Sequence, residues 1–189
     1  MAVNACSDGA GDGRDNPLVE LVLGGARSGK SRYGERRCEG AAAPLYIATA
    51  QAFDDEMAAR IDHHRARRDG RWSTVEVPLD LADALDAACA DAAGRSQPVL
   101  VDCLTLWLTN VMLGGRDVEA ETARLLAALA RATRPVILVS NEVGLGLVPE
   151  TALGRAFRDA QGRLNQAVAA VAGRVVFIAA GLPLVMKGG

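Results

Sequence analysis

The chain has 189 residues, of which 50% are apolar and only 4% aromatic, and its formal net charge is −2. This length suits one domain with a substantial core, and the charge does not favour a nucleic-acid-binding protein. No apolar run reaches the roughly 18 residues of a membrane span. Four cysteines without metal-ligand or redox spacing indicate reduced thiols. The expected class is therefore a cytoplasmic globular protein.

Taken in chain order, the sequence begins with a polar, glycine-rich stretch, residues 1–17, which is expected to be a disordered extension before one domain at 18–189. Short apolar runs then alternate with helical patterns. Strands are predicted at residues 18–23, 45–48, 74–77, 98–101, 136–139 and 175–178, with an edge strand at 184–186. Helices are predicted at residues 31–37, 54–68, 80–93, 104–113, 118–133 and 151–172. This alternation predicts an α/β fold, a mostly parallel sheet with helices on both faces.

A glycine-rich loop joins the first predicted strand to the first predicted helix. Its spacing fits the phosphate-binding loop (P-loop) pattern at every defined position: Gly24, Gly25, Ala26, Arg27, Ser28, Gly29, Lys30 and Ser31. Glycines let backbone N–H groups turn towards an anion, and the following helix directs its positive end at the same point. The loop therefore predicts a nucleoside triphosphate site, with Lys30 reaching the β- and γ-phosphates.

A magnesium ion is expected beside those phosphates. The Ser31 hydroxyl is one predicted ligand, as in other P-loops. The second is Asp102, because it directly follows a buried strand and the carboxyl ends of parallel strands meet at one edge of a sheet.

The chain does not have the pattern of a regulatory GTPase. It has no Asn-Lys-x-Asp stretch to recognise guanine, and the Asp-x-x-Gly at residues 159–162 lies inside a helical pattern and not after a strand. A small-molecule kinase or a nucleotidyl transferase fits better.

The two histidines, His63 and His64, are adjacent on the predicted helix 54–68. At about 100° per residue, His64 shares a face with Met57 and Ile61, whereas His63 points away from them. On these residues alone, a solvated basic face remains open beside a second possibility. A histidine among arginines near nucleotide phosphates could also carry a nucleotidyl group covalently.

These motifs together resemble the bifunctional adenosylcobinamide kinase/adenosylcobinamide-phosphate guanylyltransferase family of cobalamin biosynthesis. The resemblance rests on the P-loop, the 46–50 strand end, the 54–64 helix and four later stretches: 102–110, 141–150, 157–159 and 162–166. It covers roughly residues 18 to 187.

The resemblance implies two reactions with ATP, GTP and Mg²⁺ as cofactors. The hydroxyl of adenosylcobinamide is phosphorylated, and GMP from GTP then passes through a guanylylated histidine to give adenosyl-GDP-cobinamide. It also implies a RecA-like fold and a homo-oligomer, which is expected to be a trimer. By position it assigns the nucleophile to His63. The further nucleotide contacts that it implies, beyond the P-loop, are Thr49, Ala50, Gln51, Arg65, Glu76 and Asp102.

Two other classes stay open on the residues themselves. One is a single-activity small-molecule kinase in which His63 is a surface residue. The other is a nucleotide-dependent interaction protein without transfer chemistry.

Overall fold

The computed structural model describes residues 15–51, 68–91 and 96–189. Within these ranges the strands are β1 Asn16–Gly24, β2 Leu45–Ala48, β3 Ser73–Glu76, β4 Val99–Asp102, β5 Val136–Asn141, β6 Ala172–Ala179 and β7 Leu182–Lys187. The helices are α1 Lys30–Arg37, α2 Leu81–Ala90, α3 Leu104–Leu113, α4 Val118–Ala130 and α5 Ala152–Val171. Residues 1–14 and 52–67 lie outside the described residues, and with them most of the predicted extension and of the helix with His63, His64 and Arg65.

The seven strands form one sheet in the order β3-β2-β4-β5-β1-β6-β7. Each neighbouring pair from β3 to β6 is parallel, and β7 alone is antiparallel to its neighbour β6. The predicted mostly parallel α/β sheet is therefore confirmed, as is the edge strand near the C-terminus. Because β1, β2, β3, β4 and β5 run the same way, their carboxyl ends lie along one edge.

Helices cover both faces of this sheet, and the strand residues alternate between two apolar clusters. On β1, Val19 and Leu21 pack with α2 to α5, whereas Val22 belongs to the cluster on the α1 face. Gly34 of α1 lies so close to the sheet that a Cβ there would be 2.9 Å from Leu100 Cδ1. Because of this glycine, α1 can pack directly against β4 and β5.

Several element boundaries differ from the sequence prediction by one to three residues, and two of these differences involve Asn16. Helix α4 ends at Ala130, three residues early, because the Asn16 side chain donates to the carbonyl oxygens of Leu129 and Ala132, each at 3.0 Å. Strand β6 begins at Ala172, directly after α5, because Ala172 pairs with Asn16 at the start of β1. Both differences arise from contacts made by one N-terminal residue more than 100 positions away.

None of the helices in the described ranges has both the length and the apolar character needed to cross a bilayer.

Candidate active site

The P-loop lies between the end of β1 and the start of α1, as the sequence predicts. Gly29 has φ +98° and Arg27 has φ +56°, so two residues of the loop have a left-handed backbone conformation. Gly24 sits where a Cβ would be 2.6 Å from Ser28 Oγ and 2.7 Å from the carbonyl oxygen of Ile178. Gly24 and Gly29 are thus required by the path of the loop, Gly24 by close contacts and Gly29 by its backbone conformation.

The P-loop contains hydrogen-bond donors that can bind an anion. Ser28 Oγ is buried and has no hydrogen-bond partner within the part of the chain that the structure describes. Lys30 Nζ donates to the Gly25 carbonyl oxygen at 3.1 Å, which folds the ammonium group back over the loop. A phosphate would offer acceptor oxygens to the Ser28 hydroxyl, to Lys30 and to the N-terminus of α1.

The turn between β6 and β7 supports the P-loop from the side, a contact that the sequence analysis missed. The Gly181 amide donates to the Ser28 carbonyl oxygen at 2.9 Å. Ala180 and Gly181 both have positive φ, 51° and 78°, as in the two-residue hairpin turns that match the twist of β-strands. The Ala180-Gly181-Leu182-Pro183 stretch was the available signal for a turn, although nothing in it indicates the contact with Ser28.

Ala180 is a strained residue in this turn, so Ala180→Asn is expected to stabilise the protein. Asparagine tolerates the left-handed region far better than alanine, and the gain should be roughly 0.5–1 kcal/mol. Thermal unfolding of both proteins measures this gain. An unchanged or lower melting temperature would show that the turn is not under backbone strain.

Asp102 lies at the carboxyl end of β4, and the structure surrounds it with fixed groups. The Tyr46 hydroxyl donates to Asp102 Oδ2 at 3.2 Å. The Thr49 hydroxyl accepts from the Cys103 amide at 2.9 Å and donates to the Cys103 carbonyl oxygen at 2.7 Å, which pins the chain directly after Asp102. This aspartate therefore occupies a defined position, not the end of a mobile loop.

The charges of Lys30 and Asp102 act on a common neighbour, the Cys103 thiol. Burial and then the Asp102 charge raise the pKa of the Cys103 thiol to about 11, and the Lys30 ammonium opposes that rise. Both charged groups therefore lie close enough to Cys103 to affect its titration, although β5 separates β1 from β4. With so high a pKa the thiol stays protonated at neutral pH, so Cys103 is not suited to act as a nucleophile.

The donor set fits a hard cation bound together with a nucleotide. Mg²⁺ takes oxygen ligands and typically uses one or two carboxylates plus substrate phosphates. Ser31 at the first turn of α1 and Asp102 at the tip of β4 would supply a hydroxyl and a carboxylate. Across residues 15–51, 68–91 and 96–189 no cluster of three His, Cys, Asp or Glu side chains could hold a metal by itself. A magnesium site completed by the phosphates of a nucleotide does not require such a cluster.

The other nucleotide contacts implied by resemblance are spread along the sheet edge. Thr49 is fully buried and its hydroxyl is used by Cys103. Ala50 and Gln51 follow it, and Gln51 is exposed. Glu76 ends β3, four strand positions from β1, or about 19 Å at a spacing of roughly 4.8 Å. Only a ligand that extends along the edge could contact both Glu76 and the P-loop.

Two side-chain amides, of the buried Asn110 and the half-buried Asn165, hold this edge together through contacts that the sequence did not predict. Asn110 Nδ2 donates to the carbonyl oxygens of Thr49 (2.8 Å) and Pro78 (3.0 Å), which joins the segments after β2 and β3. Asn165 Nδ2 donates to the Asn141 carbonyl oxygen at 3.1 Å, next to the P-loop strand. Both asparagines lie in stretches that carry the family resemblance, 102–110 and 162–166, although nothing in those stretches indicates these contacts.

A P-loop at the carboxyl edge of a parallel sheet, with a strand-end aspartate nearby, defines a P-loop nucleotide-binding protein. Residues 20–186 match the family described as cobinamide kinase/cobinamide phosphate guanyltransferase. The chain belongs to this family. The resemblance noted from the sequence is confirmed, and so are the two transferase activities predicted from it, which imply nucleotide substrates.

Three curated relatives agree with this assignment. The bifunctional adenosylcobalamin biosynthesis protein CobP of Pseudomonas aeruginosa is 51% identical over 174 residues, which is 90% of this chain and 98% of that protein. The bifunctional adenosylcobalamin biosynthesis proteins CobU of Escherichia coli and Salmonella typhimurium are 42% and 43% identical. Each alignment with CobU covers 90% of this chain and 100% of the relative.

Proposed function

We propose that the P-loop edge of the sheet binds the nucleotide for both family reactions. In the first, ATP or GTP phosphorylates the hydroxyl of adenosylcobinamide. In the second, GMP from GTP is carried by His63 to the new phosphate and yields adenosyl-GDP-cobinamide. The observation that supports this proposal most strongly is the P-loop itself, with its buried Ser28 hydroxyl and Lys30 above an anion-sized turn. The direct test is analysis of the corrinoid products, described in the Discussion.

In the kinase reaction, the substrate hydroxyl oxygen attacks the γ-phosphorus, and the bond to the β–γ bridging oxygen breaks. Negative charge grows on that leaving oxygen and spreads over the phosphoryl group. Lys30, the loop amides and the N-terminus of α1 are positioned to stabilise this charge. The substrate proton passes to a base that the described residues do not identify.

In the guanylyl transfer, the neutral His63 imidazole attacks the α-phosphorus of GTP and pyrophosphate leaves. A phosphate oxygen of the corrinoid then attacks the phosphorus and releases the histidine. Arg65, two residues later in the sequence, would balance the negative charge. His63 and Arg65 lie outside the described residues, so their support comes from the family match and the helix phase of the sequence.

The two alternatives left open by the sequence are less consistent with this family. A kinase with one activity would leave His63 without a role, and an interaction protein would carry out neither of the two transfers by which the family is described. We retain the bifunctional enzyme as the proposal, working in the cytoplasm, with an N-terminal extension before the enzyme domain, whose first strand begins at Asn16.

A homo-oligomer, trimeric by resemblance, forms part of the same proposal. The edge strand β7 exposes Leu182, Leu184 and Met186, at 71%, 64% and 62% of their surfaces. Leu147, in the loop after β5, is 96% exposed. Sheet edges and apolar patches of this kind are typically covered by a partner chain.

A magnesium ion held by Ser31 and Asp102 would neutralise phosphate charge in both reactions. We therefore expect Asp102→Asn to weaken metal binding by about tenfold or more, because a neutral amide replaces an anionic ligand. Magnesium titrations of the kinase and guanylyltransferase rates check this. If both titrations match those of the unmodified protein, Asp102 is a structural strand-end residue and not a metal ligand.

A further inference from the structure

Tyr46 is one of two tyrosines in the chain, and the reactions described above do not use it. It lies on β2 and only 5% of its surface is exposed. Its hydroxyl is directed at the carboxylate of Asp102.

Three contacts fix the Tyr46 ring. The Arg68 guanidinium carbon lies 3.6 Å from the ring centroid, a close cation–π contact. The Trp72 ring meets it edge-on, with centroids 6.2 Å apart and planes at 78°. At the far end the hydroxyl donates to Asp102 Oδ2 at 3.2 Å. A ring held by these three contacts can keep the hydroxyl donor in one place.

We propose that Tyr46 is a positioning residue that fixes the Asp102 carboxylate for Mg²⁺, and that Arg68 holds the Tyr46 ring for this task. The inference rests on the proposed role of Asp102 as a metal ligand. A carboxylate at a strand end can rotate about its side-chain bonds, whereas a donor on one oxygen sets the direction of the other. Residues that hydrogen-bond to metal ligands in this way commonly change metal affinity about 10–100-fold when they are removed.

Arg68 adds two effects to this arrangement. Its positive charge over the ring favours electron withdrawal from the hydroxyl and makes the phenol a stronger donor. It also directly follows residues 52–67, the segment that contains the proposed nucleophile His63. The stack on Tyr46 therefore connects the end of that segment to the carboxylate that serves both reactions.

The chain provides a matched control for the hydroxyl. Tyr33, the other tyrosine, also donates to a carboxylate, Glu20 Oε1, at 3.1 Å. Glu20 lies in the middle of β1 and its carboxylate is paired with Arg37 at 2.7 Å, away from the strand tips. Tyr33→Phe and Tyr46→Phe each remove one phenolic oxygen and keep the ring, but only Tyr46 contacts Asp102.

The test uses the full chain with guanosine 5′-(β,γ-imido)triphosphate and Mn²⁺, whose binding is measured by electron paramagnetic resonance. Tyr46→Phe is expected to weaken Mn²⁺ binding about tenfold, Arg68→Gln by a smaller factor, and Tyr33→Phe not at all. Excess metal should restore the kinase rate of Tyr46→Phe, because only metal binding is impaired. Melting curves of all variants show whether each one is folded.

The outcomes separate this inference from the proposed function. If Asp102→Asn weakens Mn²⁺ binding and Tyr46→Phe does not, the positioning role is wrong while the metal site stands. Equal weakening by Tyr33→Phe and Tyr46→Phe would also overturn it, because the effect would then be general. If Asp102→Asn leaves Mn²⁺ binding unchanged, the metal role of Asp102 fails, and the inference fails with it.

Discussion

Replacement of His63 by alanine is expected to abolish guanylyl transfer while phosphorylation of adenosylcobinamide largely survives. The reason is that attack on the γ-phosphorus by a substrate hydroxyl needs no covalent enzyme intermediate, whereas the GMP carrier does. We expect guanylyl transfer to fall by more than about 10³-fold, as when other enzymes lose a nucleophile. The measurement is uptake of label from α-labelled GTP into protein, beside the rate of corrinoid phosphorylation.

His64→Ala is the control for this experiment, because it removes an imidazole one position away. The helix phase of the sequence places His64 beside Met57 and Ile61, so its loss should mainly reduce stability. Label uptake in His63→Ala combined with none in a folded His64→Ala would identify His64 as the nucleophile. Normal uptake by both variants would rule out a covalent histidine.

Replacement of Lys30 by alanine is expected to lower the kinase rate by about 10²–10³-fold without unfolding the protein. Losses of this size are seen when one stabilising donor is removed from an active site. Lys30 sits at the first turn of α1, and its ammonium folds back over the P-loop. The variant therefore removes the ammonium group that reaches the β- and γ-phosphates in P-loops. Steady-state phosphorylation of adenosylcobinamide measures the loss.

The chain offers one other lysine for comparison, Lys187 at the end of β7. Its ammonium donates to Asp15 Oδ1 at 2.9 Å and to the Ala169 carbonyl oxygen at 3.0 Å, contacts that are structural. Lys187→Ala should keep its kinase rate while its melting temperature falls. A near-normal rate in Lys30→Ala would mean that the P-loop takes no part in phosphoryl transfer.

The sequence predicted well those features that are encoded locally. The P-loop, its strand and its helix follow one another within 22 residues, and each has its own composition signal. The continuous apolar runs of β4 and β5 likewise predicted strands buried on both faces. Asp102 was found because it directly follows such a run. In each case the residues that carry the signal are the residues that form the element.

Features that depend on distant pairing could not be predicted. The hydrogen bond from Tyr46 to Asp102 spans 56 positions and exists because β2 lies beside β4 in the sheet. The contact between Gly181 and Ser28 spans more than 150 positions and depends on β6 pairing with β1. Apolar periodicity identifies strands but does not give their order in the sheet. The sequence therefore assigned no role to Tyr46 or Gly181, which support the site.

Successive conversion of adenosylcobinamide by one protein tests most directly whether a single P-loop site serves both reactions. The full chain is incubated with GTP, Mg²⁺ and adenosylcobinamide, and the corrinoids are followed over time by mass spectrometry. The expected result is a phosphorylated corrinoid that appears first and is then replaced by adenosyl-GDP-cobinamide. Accumulation of the phosphorylated corrinoid alone, or hydrolysis of GTP with no change in the corrinoid, would contradict the proposed function.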